Sequence, residues 1–388
     1  MELASLAFRT LRRHPLRSLL TALGIAVALT AFVLIRTIIG AWYSGVEASV
    51  KDRLIVRNAV SLVFYLPQSY QAQIEQIPGV ELVGHGNWFG GKFRDEEMRF
   101  QQFAVDEHYV DIYSEYQTSP QERESWDKNR KGLLVGQSIA DTYGVKPGDN
   151  LRLTGTIFPG DWDFEVSGVF KAQESGKDTR IMYFHYDYLN ERNKAELGRQ
   201  PDQVGFYVVR LKAGANVAEI AKAIDEKFAN SFAETLTETE TAFIQGFVSM
   251  SSGIIAALNA VSVVVVLIML LVLSNTTLMS FRERYREFSV LNALGFSQRH
   301  LSLLVVGEAA VLSSAGFVLL LIALTPVFLL PAKSYLGELV NFFPVFRVSM
   351  STLAFAVALA IGAALIAAFP PLLALRRMKV TDGLRLIH

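Results

Sequence analysis

The stretch that decides the fold of this chain is residues 261–301, VSVVVVLIMLLVLSNTTLMSFRERYREFSVLNALGFSQRHL. It opens with an uncharged run of Val, Leu, Ile and Met, and it continues into a segment where arginine and glutamate alternate. A helix needs about 20 apolar residues to cross the roughly 30 Å hydrocarbon core of a bilayer. The stretch therefore predicts a membrane-spanning helix that ends in a charged segment outside the bilayer.

Three more apolar stretches of similar length flank this one. The predicted membrane spans are residues 18–42, 251–279, 301–331 and 351–375. The hydrophobic fraction is 51%, and charged residues, at 19%, fall below the soluble average of about 25%. The first stretch could instead be a cleaved signal peptide, but it is longer than the roughly 7–15 apolar residues of such peptides. We expect four transmembrane helices.

Lysine and arginine near the span ends predict the orientation, because they favour the cytoplasmic side. Three segments hold four each: Arg9, Arg12, Arg13 and Arg17; Arg282, Arg284, Arg286 and Arg299; Arg376, Arg377, Lys379 and Arg385. The segment 332–350 contains Lys333 and Arg347 alone. We therefore expect the N-terminal segment 1–17, the loop 280–300 and the tail 376–388 in the cytoplasm, with 332–350 outside.

Residues 43–250 must then lie outside as one large domain. Strand-like runs alternate with a short helix at 137–143, a turn at 146–149 and an amphipathic helix near 217–228. The pattern predicts a mixed α+β domain. No strong helix breaker stands between Thr237 and Met279, so we expect the second span to extend out of the membrane as a stalk helix.

The loop 280–300 contains a candidate partner-binding helix. Charges alternate at its start, an apolar face follows, and Gly295 supplies a helix stop. It could be an ordinary connection held by lipid head groups. We favour a short amphipathic helix beneath the membrane that seats in a groove on a partner.

These residues resemble a known family. LRRHPLRSLLTALGIAVA near the N-terminus, the run 281–301, GEAAVLSSAGFVL in the third span and the C-terminal VTDGLRLI are similar to permeases of the MacB, LolC, LolE and FtsX type. These are mechanotransmitting ABC transporters. The sequence departs from the family pattern at Ser289, Asn292 and 381–383, which weakens carry-over at those positions.

The resemblance implies a permease that binds no cofactor and has no catalytic residue. ATP and Mg would be bound by a separate ABC ATPase subunit beneath the cytoplasmic loop. The implied coupling residues are Arg282, Glu283, Arg284, Arg286, Glu287, Leu291, Leu294 and Gly295. A second permease chain, identical or related, is implied as well, and we expect it on the first two spans, where Gly24, Ala26 and Ala28 would allow close packing.

Two charged residues lie within predicted spans. An intramembrane carboxylate is costly unless it is paired. For Glu308 we favour a structural ion pair, with Arg17 or an arginine of the loop, over proton or substrate handling. Arg36 is expected to reach the outer interface with its long side chain. Pro370 and Pro371 are expected to bend or end the fourth span.

Other chemistries find little support. Residues 86–92 match the phosphate-loop spacing G-x4-G-K, but Phe93 stands where a Mg²⁺-binding hydroxyl is needed, and a glycine-rich hairpin is favoured. The six histidines show no metal-ligand spacing, and the net charge of zero gives no sign of nucleic-acid binding.

The predicted function is therefore a multi-pass permease of the inner membrane that exports a periplasmic or membrane-derived substrate, with membrane lipids around it. A periplasmic adaptor and an outer-membrane channel are possible further partners. Lipoprotein release and FtsX-like activation of a cell-wall hydrolase are the alternatives.

Overall fold

The computed structural model describes residues 14–48, 52–93, 96–97, 100–173, 178–195, 201–329 and 348–378. The described chain divides into two units, which we call the helical unit (residues up to 40 and from 251 onward) and the α/β domain (residues 41–250). Predictions on residues 1–13, on most of the loop 332–350 and on the tail beyond residue 378 lie outside the described residues.

The helical unit contains the long apolar helices. Among the described residues, four helices are long and apolar enough to cross a membrane: α1 (Pro15–Ala48), α9 (Ser252–Glu283), α11 (Gln298–Leu329) and α12 (Met350–Arg377). A short helix, α10 (Tyr285–Ala293), follows α9 directly. Each of the four spans that the sequence predicts therefore contains one of these helices.

Small residues let these helices approach closely. Ala356, Ala360, Ala363, Ala364 and Ala367 form a buried face on α12. The hydroxyl of Ser313 on α11 donates a 2.7 Å hydrogen bond to the carbonyl of Ala360. Helix association in lipid depends on such close packing and on interhelical hydrogen bonds, because burial from water contributes little there.

The α/β domain is built from short elements. Its helices are α2 (Tyr70–Ile74), α3 (Glu107–Ile112), α4 (Pro120–Lys128), α5 (Gln137–Tyr143), α6 (Tyr186–Ala195), α7 (Val217–Phe228) and α8 (Glu240–Met250). Its strands are β1 (Arg53–Asn58), β2 (Leu66–Pro67), β3 (Val80–Trp88), β4 (Gly91–Phe93), β5 (Glu96–Glu97), β6 (Gln101–Val105), β7 (Tyr116–Gln117), β8 (Gly132–Gly136), β9 (Asn150–Gly155), β10 (Gly160–Ala172), β11 (Ile181–His185), β12 (Gln203–Val204), β13 (Phe206–Leu211) and β14 (Thr235–Thr239).

Twelve of the described strands form one mixed sheet in the order β14-β1-β13-β3-β6-β11-β8-β10-β9-β4-β5, with β7 paired to β10. The pairs β6–β11 and β8–β10 are parallel, and the other neighbours are antiparallel. Both faces of the sheet are covered. Alternate residues of β1 therefore enter different cores, Leu54 and Val56 one and Ile55 the other.

Several local predictions are confirmed. The helix α5 spans Gln137–Tyr143 as expected and ends at Gly144, which has φ 68°. The helix α7 buries Ile220, Ile224 and Phe228, the face that the sequence predicts.

Three local predictions are wrong. The stalk helix is not continuous from Thr237, because β14 extends to Thr239 and a break at Ser251 separates α8 from α9. The glycine-rich segment 86–93 is not a hairpin, since β3 pairs with β6 and β13 while β4 pairs with β5 and β9. The third prediction is wrong in part: α12 does not end at Pro370 and Pro371 but continues to Arg377, whereas a bend at these prolines stays a prediction. Neighbouring helices make such prolines tolerable in membrane helices.

Candidate functional site

The short helix α10 is sharply bounded at both ends. Arg284, with φ −102° and ψ 12°, interrupts the helical backbone between α9 and α10. At the other end Gly295 adopts φ 93°, its N–H donates to the carbonyl of Asn292 (3.1 Å), and the N–H of Phe296 donates to that of Leu291 (3.1 Å). This pair of bonds is the Schellman motif, which satisfies carbonyls at a helix end. Gly295 therefore stops α10 as the sequence predicts.

The inner face of α10 is anchored in the helical unit. Phe288 and Ser289 are buried, and Phe288 packs with Phe281 of α9, Leu301 of α11 and Met378 after α12. Leu291, a predicted coupling residue, also turns toward this cluster. One cluster thus packs α10 against three long helices, so a displacement of α10 would change its packing with each of them.

The outer face of α10 is exposed and mixed in character. Arg286 and Glu287 are exposed, and so are Val290 and Leu294, the latter with 72% of its surface accessible. The exposed outer side of α10 therefore presents two apolar side chains next to a basic and an acidic one. We call Arg286, Glu287, Val290 and Leu294 the α10 face.

Arg284 connects this helix to the charge inside α11. Its Nε lies 2.9 Å from Glu287 Oε2, and its Nη1 lies 3.6 Å from Glu308 Oε2. The hydroxyl of Ser280 donates a hydrogen bond to Glu308. The sequence offered Arg17 or an arginine of the loop as the partner of Glu308. In the structure the partner is Arg284 of the loop, and Arg17 pairs elsewhere.

Arg17 and Glu283 form a separate pair between α1 and α9. Arg17 Nη1 lies 2.7 Å from Glu283 Oε1, and His14 Nε2 lies 3.6 Å from Glu283 Oε2. The exposed Arg36, farther along α1, lies 3.4 Å from Asn259 Oδ1 of α9. Arg17 and Arg36 are separated by about 28 Å along the helix axis. The two polar pairs thus stand about one hydrocarbon thickness apart.

The α/β domain contains a buried ion network that the sequence did not reveal. Arg53, the first residue of β1, contacts Glu115 through both Nη atoms (2.8 and 2.6 Å) and Glu240 through Nε (2.8 Å). Its guanidinium also lies 4.2 Å from the centre of the Tyr113 ring. Glu240 is the first residue of α8, so the network ties the strand that follows α1 to the helix that precedes α9. The sequence signal for this network was the charge of Arg53 at the start of the strand RLIVRN. Its partners could not be recognised, because they are distant in the sequence.

A second buried polar cluster surrounds His85. Its Nδ1 lies 2.7 Å from Gln71 Oε1, and its backbone N–H donates to Asp106 Oδ1 at 3.0 Å. Burial lowers the pKa of His85 to about 4. Burial also raises the pKa of Asp106 to about 6, against the backbone hydrogen bonds from His85 and Tyr109 that lower it. The cluster caps α3 and fixes it on β3.

The remaining candidates from the sequence are the histidines and the glycine-rich segment 86–93. Among the described residues, no group of three His, Cys, Asp or Glu side chains is placed to hold a metal ion. Lys92 lies on β4, which pairs antiparallel with β5 and β9, whereas a phosphate loop is followed by a helix.

The described fold combines four helices long and apolar enough to cross a membrane with a large α/β domain, and comparison with protein families identifies its class. A model for the MacB-like periplasmic core domain matches residues 18–227, and one for the FtsX-like permease C-terminal domain matches residues 259–380. The chain therefore belongs to the MacB/FtsX-type family of ABC transporter permeases, as the sequence motifs indicate. This family acts with an ATPase partner.

Individual relatives are distant. The chain is 23% identical over 339 residues to an uncharacterized ABC transporter permease of Methanocaldococcus jannaschii, covering 81% of this chain and 80% of the relative. The periplasmic region of MacB from Actinobacillus actinomycetemcomitans is similar over 52% of this chain and 95% of its own length, with 10% identity and a TM-score of 0.39. The extracellular domain of the noncanonic ABC-type transporter YknZ from Gram-positive bacteria is similar over 48% and 100%, with 11% identity and a TM-score of 0.34.

Proposed function

We propose that this chain is the permease of an ATP-driven transporter in which a separate ATPase subunit binds ATP and Mg, docks on the α10 face and thereby moves the α/β domain. The observation that carries the proposal is that α10 is exposed on one side and anchored on the other in a cluster shared by α9, α11 and α12. A partner that binds the exposed side of α10 and moves would displace α10 and, through the buried cluster, the membrane helices.

The route of the motion follows from the contacts. Arg284, which lies between α9 and α10, contacts both Glu287 of α10 and Glu308 of α11, so a shift of α10 would disturb the contact between Arg284 and Glu308. The chain of α9 continues through Ser251 into α8, whose first residue, Glu240, is held by Arg53. Ion pairs of this kind are positioning contacts, because they join elements without taking part in chemistry.

The proposed setting is the inner membrane, with both termini and α10 in the cytoplasm and the α/β domain in the periplasm. The arginine clusters beside α1, α10 and α12 support this orientation. The proposed activity is export of a periplasmic or membrane-derived substrate, alone or with an adaptor and an outer-membrane channel. The large α/β domain supports export over FtsX-like signalling, and a gene for an adaptor or a second permease beside this one would separate efflux from lipoprotein release.

The substitution Leu294→Ser tests the docking surface. Leu294 is 72% exposed and lies outside the buried cluster, so its loss leaves the fold intact while it removes apolar contact with the partner. We expect roughly 10-fold weaker ATPase binding, as for the loss of a central interface side chain, with normal amounts of permease in the membrane. Co-purification of the ATPase and its turnover in membrane vesicles are the measurements.

The matched control is Gln298→Ala, at an exposed position just beyond the Gly295 stop. It should leave ATPase binding unchanged. Glu287→Lys should also abolish recruitment, but it breaks the bond to Arg284 as well, so it is less specific than Leu294→Ser. Full ATPase binding and turnover in Leu294→Ser would show that α10 is not the coupling element.

A further inference from the structure

Two chain segments that lead from the α/β domain toward α1 and α9 leave the sheet side by side. The strand β1 begins at Arg53, shortly after the end of α1, and β14 ends at Thr239, where α8 begins and leads to α9. These two strands are antiparallel neighbours, with Leu54 opposite Thr239. The first residue of β1 therefore lies next to Glu240, the first residue of α8.

Arg53 binds two carboxylates that belong to different parts of the domain. Both of its Nη atoms contact Glu115, which follows α3, whereas its Nε lies 2.8 Å from Glu240 Oε2. The contact with Glu115 joins Arg53 to the body of the domain, and the contact with Glu240 joins it to α8. The three side chains are at most 13% exposed. These charge-assisted hydrogen bonds are therefore largely shielded from water, which makes them stronger than those of an exposed pair.

The second carboxylate is not needed to balance the charge of Arg53. Glu115 alone neutralises the guanidinium and binds it with two parallel hydrogen bonds, the strongest geometry for such a pair. Glu240 adds a further buried negative charge, which is costly to take out of water. The effect that distinguishes Glu240 from Glu115 is that it fixes the start of α8 to the start of β1.

The helix α8 is attached to the sheet at its first turn and interrupted after its last residue. The N–H of Ala242 donates to Thr239 Oγ1 at 3.1 Å, and Phe243 packs against the core cluster that contains Ile55. At the other end Ser251, with φ −91° and ψ 8°, departs from helical geometry and separates α8 from α9. The boundary between the α/β domain and the helical unit falls at the same residue.

We propose that Arg53 and Glu240 lock α8 to the sheet, so that α8 and the α/β domain move as one rigid body and the chain bends at Ser251 when α9 moves. We call this contact the Arg53 clasp. The inference rests on the proposed function, since a motion of α9 driven by the ATPase would reach the domain through this contact. Glu240 is a positioning residue here, because it acts by fixing α8 and takes part in no chemistry.

Distances between spin labels test the clasp, and the chain is suited to them because it contains no cysteine. Labels at Lys222→Cys on α7 and Met250→Cys on α8, both exposed, report movement of α8 against the domain. Labels at Lys222→Cys and Ile254→Cys, in the first turn of α9, report movement across Ser251. In the complex with the ATPase, addition of ATP, Mg²⁺ and vanadate should shift the 222–254 distance and leave the 222–250 distance unchanged. A shift of the 222–250 distance in the unmodified protein would overturn the proposal.

The substitution Glu240→Ala removes the clasp while Arg53 keeps Glu115. We expect the 222–250 distance distribution to broaden in the permease alone and to shift with nucleotide in the complex. ATP turnover should stay unchanged, because Glu240 lies outside the α10 face.

The matched control is Glu115→Ala, which also removes one buried carboxylate but leaves Arg53 bound to Glu240. Because each variant leaves Arg53 with one carboxylate, their losses of stability should be similar, and a difference in the 222–250 distance reports the position of α8. That distance should stay as in the unmodified protein for Glu115→Ala. The same distribution in Glu240→Ala and the unmodified protein, or equal broadening in both variants, would overturn the proposal.

The permease without ATPase separates this inference from the proposed function. A 222–250 distance that broadens in Glu240→Ala alone, in a permease that binds no ATPase, would support the Arg53 clasp and contradict the docking of an ATPase on α10. Bound, active ATPase with the same 222–250 distance in Glu240→Ala and the unmodified protein would leave the proposed function standing and remove the clasp.

Discussion

At the scale of single residues, the α/β domain depends on two buried polar centres of different kinds. Arg53 is charged and fully paired, with 4% of its side chain exposed, whereas His85 is neutral and has one ring nitrogen in hydrogen-bond contact with Gln71. A buried charge is costly once its partner is removed. A buried neutral histidine costs stability only at a pH low enough for the same histidine to be protonated in the unfolded chain. The two centres therefore respond to different experiments.

Arg53→Met should strongly destabilise the α/β domain, because Glu115 and Glu240 would lose the buried arginine that balances their charges. We expect a loss of about 3–5 kcal/mol in the free energy of unfolding, measured from tryptophan fluorescence of the full chain in detergent. Arg57→Met is the control on the same strand: its pair with Glu238 is partly exposed, and about 1 kcal/mol or less is expected. Equal losses of unfolding free energy in the two variants would contradict the prediction that the buried network stabilises the domain more than an exposed ion pair does.

His85 should make the folded protein sensitive to acid. Its folded pKa, about 4, lies below the ordinary 6.5, so at pH 5.5 the unfolded chain binds a proton that the folded chain does not. Lowering the pH from 7.5 to 5.5 should then cost about 1 kcal/mol of stability through this residue. Asp106, with a raised pKa of about 6, acts in the opposite direction.

The comparison with His85→Gln isolates the histidine, because Asp106 is present in both proteins. Thermal midpoints measured at the two pH values should fall further in the unmodified protein than in the variant. The same fall in both would place the acid sensitivity elsewhere.

At the scale of elements, the packing of the helical unit depends on the points where two helices come into close contact. A Cβ added at Gly316 of α11 would lie 2.5 Å from Ile25 Cγ2 on α1, whereas one added at Gly362 of α12 would meet nothing within 4 Å. Both glycines lie in apolar helices and look alike in the sequence. Their different surroundings follow from the crossing of α1 and α11.

Gly316→Ala should therefore force α1 and α11 apart and destabilise the helical unit by about 1–3 kcal/mol, the usual cost of overpacking. Gly362→Ala should be neutral. The thermal midpoint of the detergent-solubilised chain, measured by loss of monodisperse protein on heating, distinguishes the two. If Gly362→Ala destabilises as much as Gly316→Ala, helix flexibility rather than close packing is the reason for these glycines.

At the scale of the whole molecule, the arrangement across the membrane is the prediction on which the proposed function depends. Reporter fusions after residues 150 and 340 should be active on the outer side, and fusions after residue 290 and at the C-terminus should be active in the cytoplasm. The arginine clusters beside the span ends are the physical reason. A cytoplasmic signal after residue 150 would contradict the proposed orientation and, with it, the docking of an ATPase on α10.

By itself the sequence determined the four apolar helices, the α+β class of the large domain, the family and the stop of α10 at Gly295. These features depend on residues that are close together in the chain: an apolar run, a strand alternation, a glycine after a helix. The motifs also indicated that Glu308 needs a partner, since an intramembrane carboxylate is recognisable in the sequence alone.

Only the tertiary structure decided which residues meet. Arg53 lies 62 residues from Glu115 and 187 from Glu240 in the sequence. Arg284, between α9 and α10, contacts Glu308 in α11. Such contacts join distant parts of the chain, and no local pattern encodes them, because the free energy that selects them is that of the packed fold.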